Sequence, residues 1–189
     1  MNRLLSLIAL PLVAGSLGCD MVTLDAPIGE PLSQTEKATF VGRWINDQSE
    51  VCEFKLTNDQ KLVMGSMSWD GEQQRHRAKN YVIDARKVGV AIYFLSHDDS
   101  KGLGFVRIER TGESEFKAHS PDAVKFRAAV ETGKLSGKVI SRKNDNYTVQ
   151  IRADSPLTDP VFSAEDLSAW YIDEGTPVFR RFNRVGEAE

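Results

Sequence analysis

The chain has 189 residues, with 24 Lys+Arg against 27 Asp+Glu and a net charge of −3. That length suits one domain with extras. An apolar share of 41% with 27% charge excludes a wholly disordered chain and a multi-span membrane protein. The slight acidity gives no footing for a polyanion, so no nucleic-acid partner is expected, and two cysteines cannot build a disulfide-dense scaffold.

Arg3 provides a positive start, and Leu4 to Val13 form an apolar stretch broken by Ser6 and Pro11. The uncharged run ends at Gly18, short of the roughly 17–25 residues a spanning helix needs, and reads as a secretory signal over residues 1–18. Gly15-Ser16-Leu17-Gly18 leads into Cys19. This junction resembles the lipobox of bacterial lipoproteins, with Ser16 where Leu usually stands. The resemblance implies acylation of Cys19 and a membrane partner reached through that lipid. More than one acyl chain gives firm attachment, at about 0.8 kcal/mol per buried CH₂. The expected location is the cell envelope, facing the periplasm. Asp20 at the next position favours the inner membrane, with the outer membrane as the other choice.

Residues 19–39 read as the lipidated Cys and a flexible tether, because Pro27, Gly29 and Pro31 break any apolar period. As a coil it would span on the order of 25 Å. Within it, Ser33 and Glu36 predict one capped helical turn over Leu32 to Lys37. From Phe40 the pattern becomes β, giving a domain over 40–185 and a tail over 186–189. Cys52, Phe54 and Leu56 alternate with Glu53 and Lys55, a half-buried strand. Asn58-Asp59 marks a turn, Lys61 to Trp69 the returning strand, and Asp70-Gly71 a second turn. Strands are expected over Arg75 to Asp84, Lys87 to Leu95 (buried on both sides), Leu103 to Arg110 and Glu113 to Ala118. Two more are expected around Tyr147, Val149 and Ile151, and over Thr176 to Phe182.

Two helices interrupt this pattern. Ser120-Pro121-Asp122 predicts one start, with Ala123, Phe126, Ala129 and Val130 on a face and Gly133 as the stop. Ser163 and Asp166 predict another, carrying Leu167, Trp170 and Tyr171 and closed by Gly175. The expected fold is mainly β, an antiparallel meander barrel or half-barrel with two short helices before the last strand.

Gly42-x-Trp44 at the start of the first long strand resembles the lipocalin and wider calycin signature. The resemblance implies that Trp44 closes the barrel floor against an Arg of the last strand, here Arg180 or Arg181, by cation–π stacking. The body also resembles a family of bacterial lipoproteins without an assigned activity. Those share a Leu-Ser-x-x-Glu-Lys segment (Leu32 to Lys37), G-x-W, and a Gly-Lys-Leu-x-Gly-like turn (Gly133 to Gly137). Both helices here precede the final strand, whereas a lipocalin helix follows the eighth. A filled barrel is therefore as compatible as one with a cavity.

No residues converge on a catalytic pattern. Cys52 on an apolar strand face reads as a small buried hydrophobe. His97-Asp98-Asp99 reads as a solvated turn, since a metal site needs three or four ligands in fixed geometry. Arg75-His76-Arg77 reads as a charged strand edge. There is no G-x-S-x-G, and Ser96, His97 and Asp98 are adjacent along one strand, so they point to alternate faces. Gly133-x-x-x-Gly137-Lys138 is one residue short of a phosphate loop and reads as a helix stop followed by a turn. Asp98-Asp99 and Asp173-Glu174 lack the burial that would raise a carboxyl pKa. Trp69, Trp170 and Tyr171 are candidates to line a pocket, although such aromatics usually pack a core.

The expectation is a non-catalytic envelope lipoprotein with no cofactor and no metal. It would bind an apolar small ligand or an envelope protein. The alternative is an inhibitor or immunity-type lipoprotein masking an enzyme or toxin, through charged loops such as His97 to Lys101 or Arg142 to Asn146.

Overall fold

A computed structural model describes residues 20–98, 102–141 and 146–182. The signal segment, the Cys19 lipid site, most of the two charged loops and the 186–189 tail lie outside the described residues. Seven strands run as a meander: β3 (Gly42–Asn46), β4 (Val51–Leu56), β5 (Leu62–Asp70), β6 (Arg75–Val88), β7 (Ala91–Asp98), β8 (Gly102–Arg110) and β9 (Glu115–His119). The last strand, β12 (Val178–Arg181), lies between β9 and β3 and pairs antiparallel with both. Since β9 also pairs with β8, the eight strands close into an antiparallel barrel.

The alternation that marks each strand also fills the barrel. Trp44, Cys52, Phe54, Leu62, Met64, Ile83, Phe94, Val106, Ile108, Phe116 and Phe179 are buried together in one core. Its aromatics meet mostly edge to face, as Phe40 does with Phe94 at 4.9 Å between centroids, while Phe116 and Phe179 stack at 4.9 Å. The calyx is occupied by its own side chains.

A second layer covers one side. Strand β1 (Met21–Leu24) pairs antiparallel with the first half of β8 and parallel with β11 (Tyr147–Ile151), which pairs with β10 (Gly137–Ser141). Helix α2 (Ala123–Glu131) packs on β10, β11 and β1, burying Phe126 and Ala129. Tyr93, Leu95, Leu103 and Phe105, on the outer faces of β7 and β8, join this second core. Both faces of the β7–β8 pair are therefore buried, which explains their nearly unbroken apolar sequence.

The structure corrects four boundaries. Residues 20–39 are not a tether. Val22, Leu24, Ile28 and Leu32 are core residues, and β2 (Glu30–Pro31) pairs with β6. The Pro and Gly residues that break the periodicity are turns between very short elements. Gly29 at φ 58° lies so close to Lys87 that a Cβ would come within 2.0 Å of its carbonyl oxygen. The capped turn is present as α1 (Gln34–Ala38), where Ser33 and Glu36 form a capping box.

The apolar run from Lys87 to Leu95 is cut at Gly89-Val90, with Gly89 at φ 59°, into the ends of β6 and β7. The helix expected from Ser163 does not form; a single turn, α3 (Asp159–Phe162), precedes it. Asp166 there accepts from Ser168 N and Ser168 Oγ at 3.0 and 2.7 Å, a local bond that competes with helix continuation. Finally, α2 is capped by Asp122 instead of Ser120, and the turn after Gly133 leads into β10 at Gly137.

Removing residues 20–32 should abolish the cooperative thermal transition, because both cores lose buried side chains and β8 and β11 lose a partner. An unchanged Tm would restore the tether. Leu24→Ala alone should cost about 2–5 kcal/mol in denaturant unfolding.

Candidate functional site

The floor of the barrel is closed by two guanidinium groups. Trp44 is fully buried, and its indole N–H donates to the Phe40 carbonyl at 2.8 Å. Arg181, paired with Trp44 across β12–β3, stands over its ring at 5.1 Å and donates to the carbonyls of Thr39 and Val41. Arg110 covers the Phe40 ring at 4.7 Å and bonds Thr39 Oγ1. Arg180 points elsewhere, to Glu115 at 2.9 Å. This end is a packed lid. It offers no entry.

A polar cluster lies between the layers. Tyr93 Oη donates to the Phe162 carbonyl at 2.6 Å, and Tyr171 Oη donates to Tyr93 Oη at 3.2 Å. Buried Arg107 bonds the Ala164 carbonyl and sits 5.9 Å from the Tyr171 ring centroid. On the same face His119 Nε2 meets Glu109 at 2.9 Å. Burial pushes both phenols above their ordinary pKa. Protonated and hydrogen-bonded inside the core, they hold the segment around α3 onto β7 and β8. Trp170 packs on Phe126 in the same core at 5.3 Å.

Toward the opposite mouth, Asn46 Nδ2 donates to Glu50 at 3.3 Å, and Ser66 bonds the same carboxyl. Burial raises the Glu50 pKa against those bonds. Cys52 lies beneath, fully buried, with its thiol pushed up to about 12 by burial and the nearby Glu50 carboxylate. A thiol so protonated is a packing atom, not a nucleophile.

The exposed feature is a β5–β6 wing. Beyond the Met67–Ala78 rung, β5 and β6 pair only with each other, up to Asp70 opposite Arg75. Asp70 accepts from the N–H groups of Glu72 and Gln73 at 3.0 and 3.1 Å and pairs with Arg77, which fixes the tip. Opposite residues of an antiparallel pair share a face. Val63, Gly65, Met67 and Trp69 therefore line the outer face with Val82, Asn80, Ala78 and His76. Val82, Trp69 and Met67 are 60%, 53% and 47% exposed. Trp69 stands edge-on to His76 at 5.1 Å. At the wing's base is a hollow of about 330 Å³ around Gly65, Val63, Val82, Glu53 and Lys55. A second surface cleft, of about 480 Å³, is lined by Asp25, Ser136, Lys138, Gln150 and Arg152 among others.

Trp69 therefore belongs to the surface, while Tyr171 and the partly buried Trp170 belong to the second core, and neither cleft is lined by any of the three. His97, exposed, and Asp98 are the last residues of β7 instead of a turn, and Asp99 and Lys101 lie outside the described residues. Among the described residues no group of three His, Cys, Asp or Glu side chains could hold a metal ion, and no helix is long and apolar enough to cross a membrane. Arg75-His76-Arg77 lies, as its reading as a charged strand edge expects, on a stretch of β6 that pairs on one side only among the described residues, but the wing as a whole was not singled out from sequence. Its signal is the cationic alternation Arg75-x-Arg77-x-Lys79 on one strand and the apolar Met67-x-Trp69 on the other, two sets that fall on opposite faces of the hairpin. Compared with family models, curated proteins and solved structures, the chain matches none.

Two measurements check the mouth. Cys52 should resist a disulfide reagent at pH 8 until the protein is unfolded; rapid native labelling would contradict its burial. Glu50 has a folded pKa above its unfolded value, so its ionisation opposes folding once pH rises past the unfolded pKa. Glu50→Gln should therefore stabilise the fold at pH 7 and lose that advantage near pH 4. An equal difference at both pH values would discount the burial effect.

Proposed function

We propose that this chain is a lipid-anchored lipoprotein of the cell envelope that acts by binding a protein partner, without catalysis. The observation that carries this reading is the exposed apolar outer face of the β5–β6 wing, with Trp69 near its tip. An exposed Trp beside Met and Val is the composition of an interface centre. The packed barrel interior favours a protein over an apolar small ligand held inside. The anchor rests on the Cys19 junction and its resemblance to the lipobox. Only Asp20 separates that cysteine from β1, and Asp20 accepts from Tyr147 N at 2.9 Å, so the lipid would hold the body close to the bilayer.

Strand polarity supports the wing as the presented surface. The start of β1 is directed toward the end of the barrel where β8 reaches Arg110 and β6 reaches Val88. The wing's tip points the other way, into the compartment. A projecting hairpin also has the shape to fill an enzyme's cleft, which favours the inhibitor form of the same reading.

Cys19→Ser should release the protein from membranes; unchanged association would refute lipidation. In the released chain, Trp69→Ser with Met67→Ser should sharply reduce recovery of the partner captured from envelope extract. Stability should stay within about 0.5 kcal/mol, as expected for surface sites. Undiminished recovery would move the binding surface elsewhere.

A further inference from the structure

The wing has a second property beside its apolar face: a free backbone edge. Strand β6 runs from Arg75 to Val88, yet it pairs with β7 only from Asp84 onward, where Asp84 meets Leu95. Along Arg75–Ile83 its one strand partner among the described residues is β5, on the other side. Strand β7 behaves likewise above Leu95, where Ser96 and His97 pair with β8 alone. The two strands thus part at Asp84 and leave a notch bordered by unpaired edges. Such an edge is a template for one more strand.

Side-chain charge says which strand fits. Arg75, Arg77 and Lys79 share one face of β6, and Asp70 neutralises Arg77. The opposite face carries His76, Ala78, Asn80 and Val82. A second copy of this chain pairing through the same edge would set these cations against each other, which disfavours self-association. An extended segment alternating acidic and apolar residues meets both faces. Its carboxylates lie beside the cationic row, while its apolar side chains extend the face that Met67 and Trp69 begin.

We propose that the Arg75–Ile83 edge of β6 is a docking site for an extended acidic segment of a protein partner, added as a further strand. This rests on the protein-binding reading above and deepens it. Backbone bonds to the edge give affinity, and Arg75 and Lys79, the cations of the row that Asp70 does not take up, select the acidic face.

The test uses the full mature chain carrying Cys19→Ser and a capped peptide of about nine residues alternating Glu and Val, long enough to span the edge. The peptide should bind and slow amide hydrogen exchange within residues 76–83, while its Lys-Val counterpart should not. Arg75→Glu with Lys79→Glu should weaken binding about tenfold or more, in keeping with the loss of close charge pairs. The proposal is overturned by absence of binding at millimolar peptide, by equal binding of the Lys-Val peptide, or by binding without protection of the β6 amides. If the peptide fails while the Trp69 and Met67 substitutions still reduce partner recovery, the edge is dismissed and the proposed function stands. Protection of the edge with partner recovery unaffected by those substitutions upholds the edge and removes the apolar face from the interface.

Discussion

The β7–β8 pair has to satisfy two layers at once, and the rest of the molecule is arranged around that demand. Phe94, Val106 and Ile108 point into the barrel, while Tyr93, Leu95 and Phe105 point into the second core. Strand β8 lends its first residues to β1 and its last to β9. Leaving the outer face bare would expose large aromatic and aliphatic side chains, each worth roughly 1.5–3 kcal/mol when buried. The excursion between β9 and β12, which supplies α2, β10, β11 and α3, and the chain's own beginning are what cover it. Buried Arg107 and Tyr93 give that cover a fixed position, since both bond carbonyls of the α3 segment, and Tyr171 bonds Tyr93 in turn.

Much of the barrel was legible because its strands alternate cleanly and are joined by recognisable turns. The segment from Val51 to Asp70 reads directly from Cys52, Phe54 and Leu56 and from the turn residues on either side. The G-x-W motif pointed to a Trp–Arg contact at the floor, and the geometry puts Arg181 on Trp44 and gives Arg180 to Glu115. The second layer was harder. A four-residue strand such as β1 has too few positions to show a period, and its parallel partner lies more than a hundred residues away. The Pro and Gly residues around it look like linker chemistry until Gly29 is seen pressed against Lys87. Near Ser163 the spacing suited a helix, but Asp166 bonds its own neighbourhood instead.

The candidate surface was the least legible part, for a physical reason. Trp69 and Met67 carry the composition of a core strand, and exposure depends on where neighbouring strands stop. Only the register shows β4 stopping opposite Met67 of β5, and β7 leaving β6 where Leu95 meets Asp84. The same two endings produce the apolar outer face and the unpaired edge, so one choice of strand lengths gives the wing both features. The barrel itself supplies a rigid mount, its floor closed by Arg181 and Arg110 and its interior full.

The pairing of the chain's two ends carries a consequence for how the molecule is made. Strand β1 waits for β11, with Met21 beside Thr148, and β3 waits for β12, with Trp44 beside Arg181. Neither layer can be completed by a short N-terminal fragment, because each needs a strand made much later in the chain. Contacts so distant along the chain are slow to form. An emerging polypeptide of this topology keeps its second layer open until β11 is made and its barrel open until β12 follows, so the layers are completed one after the other.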